Sequence, residues 1–77
     1  MRKWPEATTR ELFRVVALLE LDKPLEANKR DHALKGGWRG WQDCRECHVF
    51  PDILVVYRKR GDTLELIAFD THSELFG

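Results

Sequence analysis

The side chains in this sequence that are best suited to chemistry are three histidines and a nearby aspartate. His32 lies in a polar stretch, His48 shortly precedes Asp52, and His72 is close to the C-terminal end. Imidazole groups titrate near neutral pH and are the usual groups that move a proton onto or off a phosphodiester oxygen. Any one of these histidines alone is more typical of a surface or structural residue. Three of them together with a carboxylate indicate a catalytic site.

The segment CRECH at residues 44–48 contains the C-x-x-C-H pattern that attaches haem in c-type cytochromes. Such a haem needs His48 as one axial ligand, usually a second ligand, and export to the compartment where attachment occurs. The only methionine is Met1, and the N-terminal residues lack the apolar core and the cleavage site of a secretory signal. We therefore expect no haem and no other cofactor.

The same cysteines are poor candidates for a zinc site or a disulfide. Cys44, Cys47 and His48 supply three zinc ligands, and only the distant His32 or His72 is available as the fourth. Residues three apart in an extended strand have Cα atoms roughly 10 Å from each other, beyond the range of a disulfide. We expect no metal, with Cys47 as a buried small apolar residue and Cys44 in a loop. A small metal-binding protein is the weakest of the alternatives.

The composition predicts one small globular domain over residues 1–77, with 43% hydrophobic and 34% charged residues. Thirteen basic and thirteen acidic side chains cancel, so the net charge gives no global attraction to nucleic acid or to a membrane. Any basic site must be a local patch. No apolar run is long enough to span a bilayer, and we expect a cytoplasmic protein with reduced thiols.

The N-terminal part of the chain predicts an amphipathic helix. Thr8-Thr9-Arg10-Glu11 is typical of a capping box, with Thr8 as the N-cap and Glu11 bonded back to it. Apolar residues then recur at helical spacing, which predicts a helix over roughly 9–21. Pro24 ends it, because a proline ring cannot continue an α-helix. The span 22–43 is polar and contains Gly and Trp, so we expect a structured loop.

Three strands follow in the C-terminal part, at residues 45–50, 53–57 and 64–69, with a turn at 60–63. The expected fold is α+β, in which the amphipathic helix packs on a small antiparallel sheet. The second strand is apolar on both faces and is therefore expected to be central. This order brings His48, Asp52 and His72 to one edge of the sheet.

One tandem repeat precedes the strand histidine. Gln42-Asp43-Cys44 is followed at once by Arg45-Glu46-Cys47, and each unit is a polar residue, an acid and a cysteine. A three-residue duplication explains the C-x-x-C spacing without a chemical purpose. Because three is an odd number, it reverses the strand faces unless a loop or bulge absorbs it.

Five segments in this order resemble the YafQ branch of the RelE/ParE superfamily of bacterial mRNA-interferase toxins. They are DHALKG at 31–36, WRG at 38–40, RECHVFPD at 45–52 with one variable position, VYR at 56–58 and THSELF at 71–76. The resemblance covers roughly residues 8–77, and the chain begins partway through the family's usual N-terminal elements. It implies a metal-independent endoribonuclease that cuts ribosome-bound mRNA and is neutralised by a co-encoded antitoxin.

The resemblance also implies the site residues. The family's catalytic positions match His32, His48, Asp52 and His72, and its aromatic residue matches Phe76. We expect His72 to act as the acid and Asp52 or His32 as the base, with His48 orienting the phosphate and Phe76 stacking on a base.

A local basic patch would complete an RNA-binding surface. Its candidate members are Lys35, Arg39, Arg45 and Arg58, close in sequence to three aromatic residues. A solvated surface with core-packing aromatics is an equally good interpretation of the Arg58 region.

A second hypothesis keeps the family but not the catalysis. The repeat before His48 and the presence of Ala68, where relatives commonly carry an arginine, are compatible with a degenerate binding module. Such a module would pair with an antitoxin or form a homodimer.

Overall fold

The computed structural model describes residues 3–34, 41 and 43–76. The elements in chain order are α1 (Glu6–Glu20), a short 3₁₀ helix (Ala27–Lys29), β1 (His32–Ala33), β2 (Arg45–Phe50), β3 (Ile53–Arg60), β4 (Thr63–Thr71) and α2 (His72–Phe76). The four strands form one sheet in the order β1-β2-β3-β4, and each neighbouring pair is antiparallel. The predicted α+β class is therefore confirmed. Within the described residues, no helix is long and apolar enough to cross a membrane.

The three predicted strands are present, and the central one is β3 as expected. β2 has the predicted bounds, whereas β3 and β4 extend beyond the apolar residues that predicted them. The span 22–43 was expected to be a loop, and this is wrong for the 3₁₀ helix and for β1. Both are too short to show a periodic pattern, and β1 exists because its backbone pairs with β2.

Helix α1 begins earlier than the sequence predicted, and the capping box at Thr8 is wrong. Pro5 is the N-cap, and its carbonyl accepts hydrogen bonds from the amides of Thr8 at 3.0 Å and Thr9 at 3.2 Å. Thr8 is buried inside the first turn, and no side chain caps the helix. Glu11 instead bonds to Arg14 and Lys29, two cations that compete for its carboxylate.

Two apolar clusters lie on opposite sides of the sheet, because β3 is buried on both faces. We call these sides the α1 face and the α2 face. The α1 face buries Val15, Leu19, Cys47, Val49, Val55 and Tyr57. The α2 face buries Cys44, Leu54, Val56 and Leu75. Residues paired across antiparallel strands share a face, so Glu46 and His48, opposite Val56 and Leu54, belong to the α2 face.

The tandem repeat is accommodated by the turn before β2, and a separate bulge follows later in β2. Asp43 has a φ of 63°, a left-handed conformation that reverses the chain before the strand begins. The register of β2 against β3 then shifts between His48 and Phe50. Only the second unit of the repeat lies in the strand, and Val49 occupies the bulge.

An ionic network connects α1, the 3₁₀ helix and β2. The Lys29 ammonium donates to the carbonyl oxygen of Val49 at 2.9 Å and lies 2.5 Å from the Glu11 carboxylate. Glu11 also pairs with Arg14 at 2.7 Å, and Arg14 pairs with Glu26 at 2.6 Å. This network holds the helix against the outer edge of β2.

We expect Glu11 to make the stability of the fold sensitive to acid. Hydrogen bonds from Arg14 and Lys29 lower the pKa of Glu11 from 4.5 to about 2. A carboxyl whose pKa is lower in the folded state stabilises the fold above its unfolded pKa, and this contribution is lost as pH falls towards the folded value. The free energy of unfolding should therefore decrease from about pH 4.5 towards pH 2, and Glu11→Gln should remove part of that decrease.

Urea unfolding at a series of acidic pH values measures this effect. Glu6→Gln is the matched control, because Glu6 pairs with Arg10 on the same helix while both side chains are well exposed. A pH profile for Glu11→Gln that runs parallel to the wild-type profile would contradict the expectation.

Candidate active site

The His48 side chain lies at the end of β2, on the α2 face, next to the turn into β3. Its Nδ1 atom is 3.1 Å from the carbonyl oxygen of Pro51. A carbonyl oxygen only accepts, so this bond assigns the hydrogen to Nδ1. In the neutral ring, Nε2 then carries a lone pair that can take a proton.

Asp52 and His72 meet at the same end of the sheet. Asp52 is exposed in the turn between β2 and β3, and its carbonyl accepts a hydrogen bond from the His72 amide at 3.1 Å. His72 begins α2, and its ring centroid lies 5.2 Å from that of Phe76. The structure thus brings together the predicted residues His48, Asp52, His72 and Phe76.

His32 lies on the same face, in β1, opposite Glu46 of β2. Its Nε2 is 3.1 Å from Glu46 Oε1, and its Nδ1 is 3.1 Å from the carbonyl oxygen of Ala33. Both ring nitrogens of His32 therefore have an oxygen partner within the protein.

Glu46 is a residue that the sequence analysis did not select. It is 7% exposed, which is low for a carboxylate, and His32 is its hydrogen-bond partner. A signal was available, because Glu46 is two residues before His48 and strand alternation places the two on one face. The pairing with His32 could not be found in this way, since β1 carries no pattern of its own.

Trp41 adds an aromatic ring to those of His72 and Phe76 at this end of the molecule. Its centroid lies 6.0 Å from that of Phe76, and the two rings are perpendicular. Both are partly buried against the cluster on the α2 face. Edge-to-face contact fixes the orientation of Phe76 next to His72.

Of the predicted basic residues, the described Arg45 and Arg58 do not join the histidines. Arg45 lies on the α1 face opposite Tyr57, and it donates to Asp31 at 3.2 Å and to the Tyr57 hydroxyl at 3.3 Å. These groups line a separate cavity of about 470 Å³. Arg58 is on the α2 face, but its guanidinium donates to Glu65 at 2.7 Å, which compensates its charge. Lys35 and Arg39 lie outside the described residues.

The two cysteines are on opposite sides of the sheet. Cys47 belongs to the cluster on the α1 face and Cys44 to the cluster on the α2 face, and both are free thiols. The hypotheses of haem attachment, zinc binding and a disulfide each need both sulfur atoms on one side. This placement does not fit them.

Comparison with known proteins agrees with the arrangement of the site. The sequence model of the family described as "Bacterial toxin of type II toxin-antitoxin system, YafQ" matches residues 2–77. The chain belongs to the YafQ family. The resemblance expected from the sequence segments is therefore confirmed.

One related sequence and two solved structures illustrate the similarity. The mRNA interferase toxin YafQ of Escherichia coli K12 is 34% identical over 65 residues, which are 84% of this chain and 67% of the relative. The crystal structure of the E. coli DinJ-YafQ complex superposes with a TM-score of 0.76 at 31% identity, covering 90% of this chain and 74% of the other. A metal-bound toxin from Helicobacter pylori has a TM-score of 0.76 at 42% identity, covering 87% and 73%.

We expect the Cys47 thiol to be inert in the folded protein. Burial, with the nearby Asp31 carboxylate, raises the pKa of Cys47 to about 12. Because the thiolate is the reactive form, alkylation by iodoacetamide at about pH 8 should be slow for the native chain and rapid in denaturant. Peptide mass spectrometry measures each cysteine separately. Modification of Cys47 at the same rate in native and denaturing buffer would show that the site is open.

Proposed function

We propose that this chain is the toxin of a type II toxin–antitoxin system, acting in the cytoplasm as an endoribonuclease on ribosome-bound mRNA. Membership of the YafQ family supports the class of activity. The observation that carries the proposal is the convergence of His48, Asp52 and His72 at one end of the sheet. The proposed unit is a single domain, as expected from its length.

The proposed reaction is attack by a ribose 2′-OH on the adjacent phosphate. Nε2 of His48 takes the proton from the hydroxyl, and a bond forms between the 2′-oxygen and phosphorus. The bond from phosphorus to the 5′-oxygen breaks, and His72 donates a proton to that leaving oxygen. This step needs no metal, since both proton transfers use protein side chains.

The remaining groups of the site stabilise the developing negative charge and position the catalytic side chains. His32, held by Glu46, stabilises the negative charge that develops on the phosphate oxygens. The Asp52 carbonyl accepts a hydrogen bond from the His72 amide and so positions the first residue of α2. These hydrogen bonds favour His48 over His32 as the base, which revises the division of roles expected from the sequence.

The proposed partner is a co-encoded antitoxin protein. The E. coli YafQ relative was crystallised as a complex with DinJ. In this chain, Phe13 and Leu21 on and after α1 are each 65% exposed. Large exposed apolar side chains of this kind support a protein-binding surface.

A non-catalytic binding module is the second candidate. Ala68 pairs with Val56 on the α2 face, so it adds no cation to the surface that carries Glu46 and His48. The chain would then bind its antitoxin or a second copy without cutting RNA. A growth assay separates the two candidates.

We expect expression of the wild-type chain to arrest bacterial growth and His72→Ala to abolish the arrest. The alanine variant lacks the group that protonates the leaving oxygen. Ser73→Ala, the exposed neighbour on α2, is the matched control and should still arrest growth. Circular dichroism checks that both variants fold. A wild-type chain that accumulates without affecting growth would favour the binding module.

We also expect Glu46→Ala to reduce the rate of mRNA cleavage by about tenfold or more, because His32 loses its carboxylate partner. Primer extension on mRNA from expressing cells measures the rate of cleavage. Glu65→Ala is the matched control, since Glu65 pairs with Arg58 on the same face but far from His48. Equal losses in the two variants would contradict a specific role for Glu46.

A further inference from the structure

A cavity of about 240 Å³ adjoins the candidate active site, between the 3₁₀ helix and the end of β2. Its lining residues are Asn28, Lys29, His48, Val49, Phe50 and Pro51. We propose that this cavity holds the nucleobase of a nucleotide next to the scissile phosphate, with the base stacked on Phe50 and its edge bonded to Asn28. The inference rests on the proposed endoribonuclease function and adds a base-recognition subsite to it.

The bulge in β2 explains how Phe50 reaches this cavity. In a regular strand Phe50 would share the face of His48, two residues earlier. The register shift between His48 and Phe50 turns the aromatic ring towards the 3₁₀ helix instead. His48 and Phe50 therefore border one cavity from two directions. A base on Phe50 would place its own phosphate next to the imidazole.

Phe50 presents a surface on which a base can stack. The side chain is 37% exposed, and the Lys29 ammonium lies 5.9 Å from the ring centroid. The lysine lies over one face of the ring and polarises it. Stacking on aromatic side chains is the common way to bind an unpaired base, because every base has a flat face.

Asn28 supplies hydrogen bonds to the edge of the base. Its side chain is exposed, and no described residue bonds to its amide. An amide offers a donor and an acceptor side by side, which is the pattern that base edges present.

The charge of the cavity favours a base over a phosphate. The ammonium of Lys29 is already bonded to the Val49 carbonyl and paired with Glu11. Among the described lining residues, no other lysine and no arginine contributes a cation. A neutral heterocycle therefore fits better than an anionic group.

The test compares Phe50→Ala, Phe50→Trp and Asn28→Ala in the full chain. The probe is a short oligoribonucleotide with a 2′-O-methyl group at the cleavage position, so that it binds without being cut. Phe50→Ala should raise the Kd by about tenfold, and Phe50→Trp should restore binding through a larger ring. Leu66→Ala removes another exposed apolar side chain, on β4, and should bind as the wild type does.

Cleavage-site mapping gives the second measurement. Asn28→Ala should broaden the base preference next to the cut. In an NMR titration, the Asn28 side-chain amide and the Phe50 ring should shift when the oligonucleotide is added. If Phe50→Ala and Asn28→Ala both leave the Kd and the cut sites unchanged, the subsite is overturned.

The outcomes separate this inference from the proposed function. If the wild-type chain cuts mRNA and the variants bind and cut as it does, the endoribonuclease function is supported and the subsite is overturned. If the chain binds the oligonucleotide through Phe50 and Asn28 but does not cut RNA, the subsite is supported and the proposed endoribonuclease function is overturned. No shift at either residue overturns the subsite whatever the activity.

Discussion

The ammonium of Lys29 is the contact on which the arrangement of the site depends. Among the described residues, β1 pairs with β2 only at Arg45 and Glu46, so the later part of β2 meets a different partner on its outer edge. An unpaired backbone carbonyl at a bulge is costly unless a donor reaches it, and Lys29 is that donor for Val49. The same ammonium pairs with Glu11, which connects the edge of the sheet to α1. This contact therefore stabilises the bulge, next to which Phe50 lies.

Strand alternation then divides the chemistry between the two faces of the sheet. Glu46 and His48 are directed to the α2 face, where α2 supplies His72, whereas Arg45 and Cys47 are directed to the α1 face. The duplicated acid and cysteine would have reversed this pattern had all three residues entered the strand. The turn at Asp43, with its positive φ, keeps the extra residues outside β2. His48 therefore lies on the α2 face, together with Glu46.

Much of this could be predicted because it depends on local pattern. The apolar residues of α1, the doubly buried β3 and the two hairpins follow from periodicity and turn residues, and the hairpins alone bring His48 towards His72. The start of α1 at Pro5 and the two residues of β1 were missed, since they depend on backbone bonds and not on a repeated pattern. His32, the partner of Glu46, was not predicted for the same reason. It lies in β1, and no sequence pattern indicates that β1 pairs with β2.

The two strand histidines show why residue type alone does not assign a catalytic role. In His32 and in His48, Nδ1 meets a backbone carbonyl, so the difference lies at Nε2. For His32 that nitrogen bonds to the buried carboxylate of Glu46. For His48 no described side chain bonds to Nε2, so the lone pair is available to a substrate hydroxyl. Two histidines on one face of the sheet thus differ in whether Nε2 is open to a substrate, and the proposed ribose attack makes use of that difference.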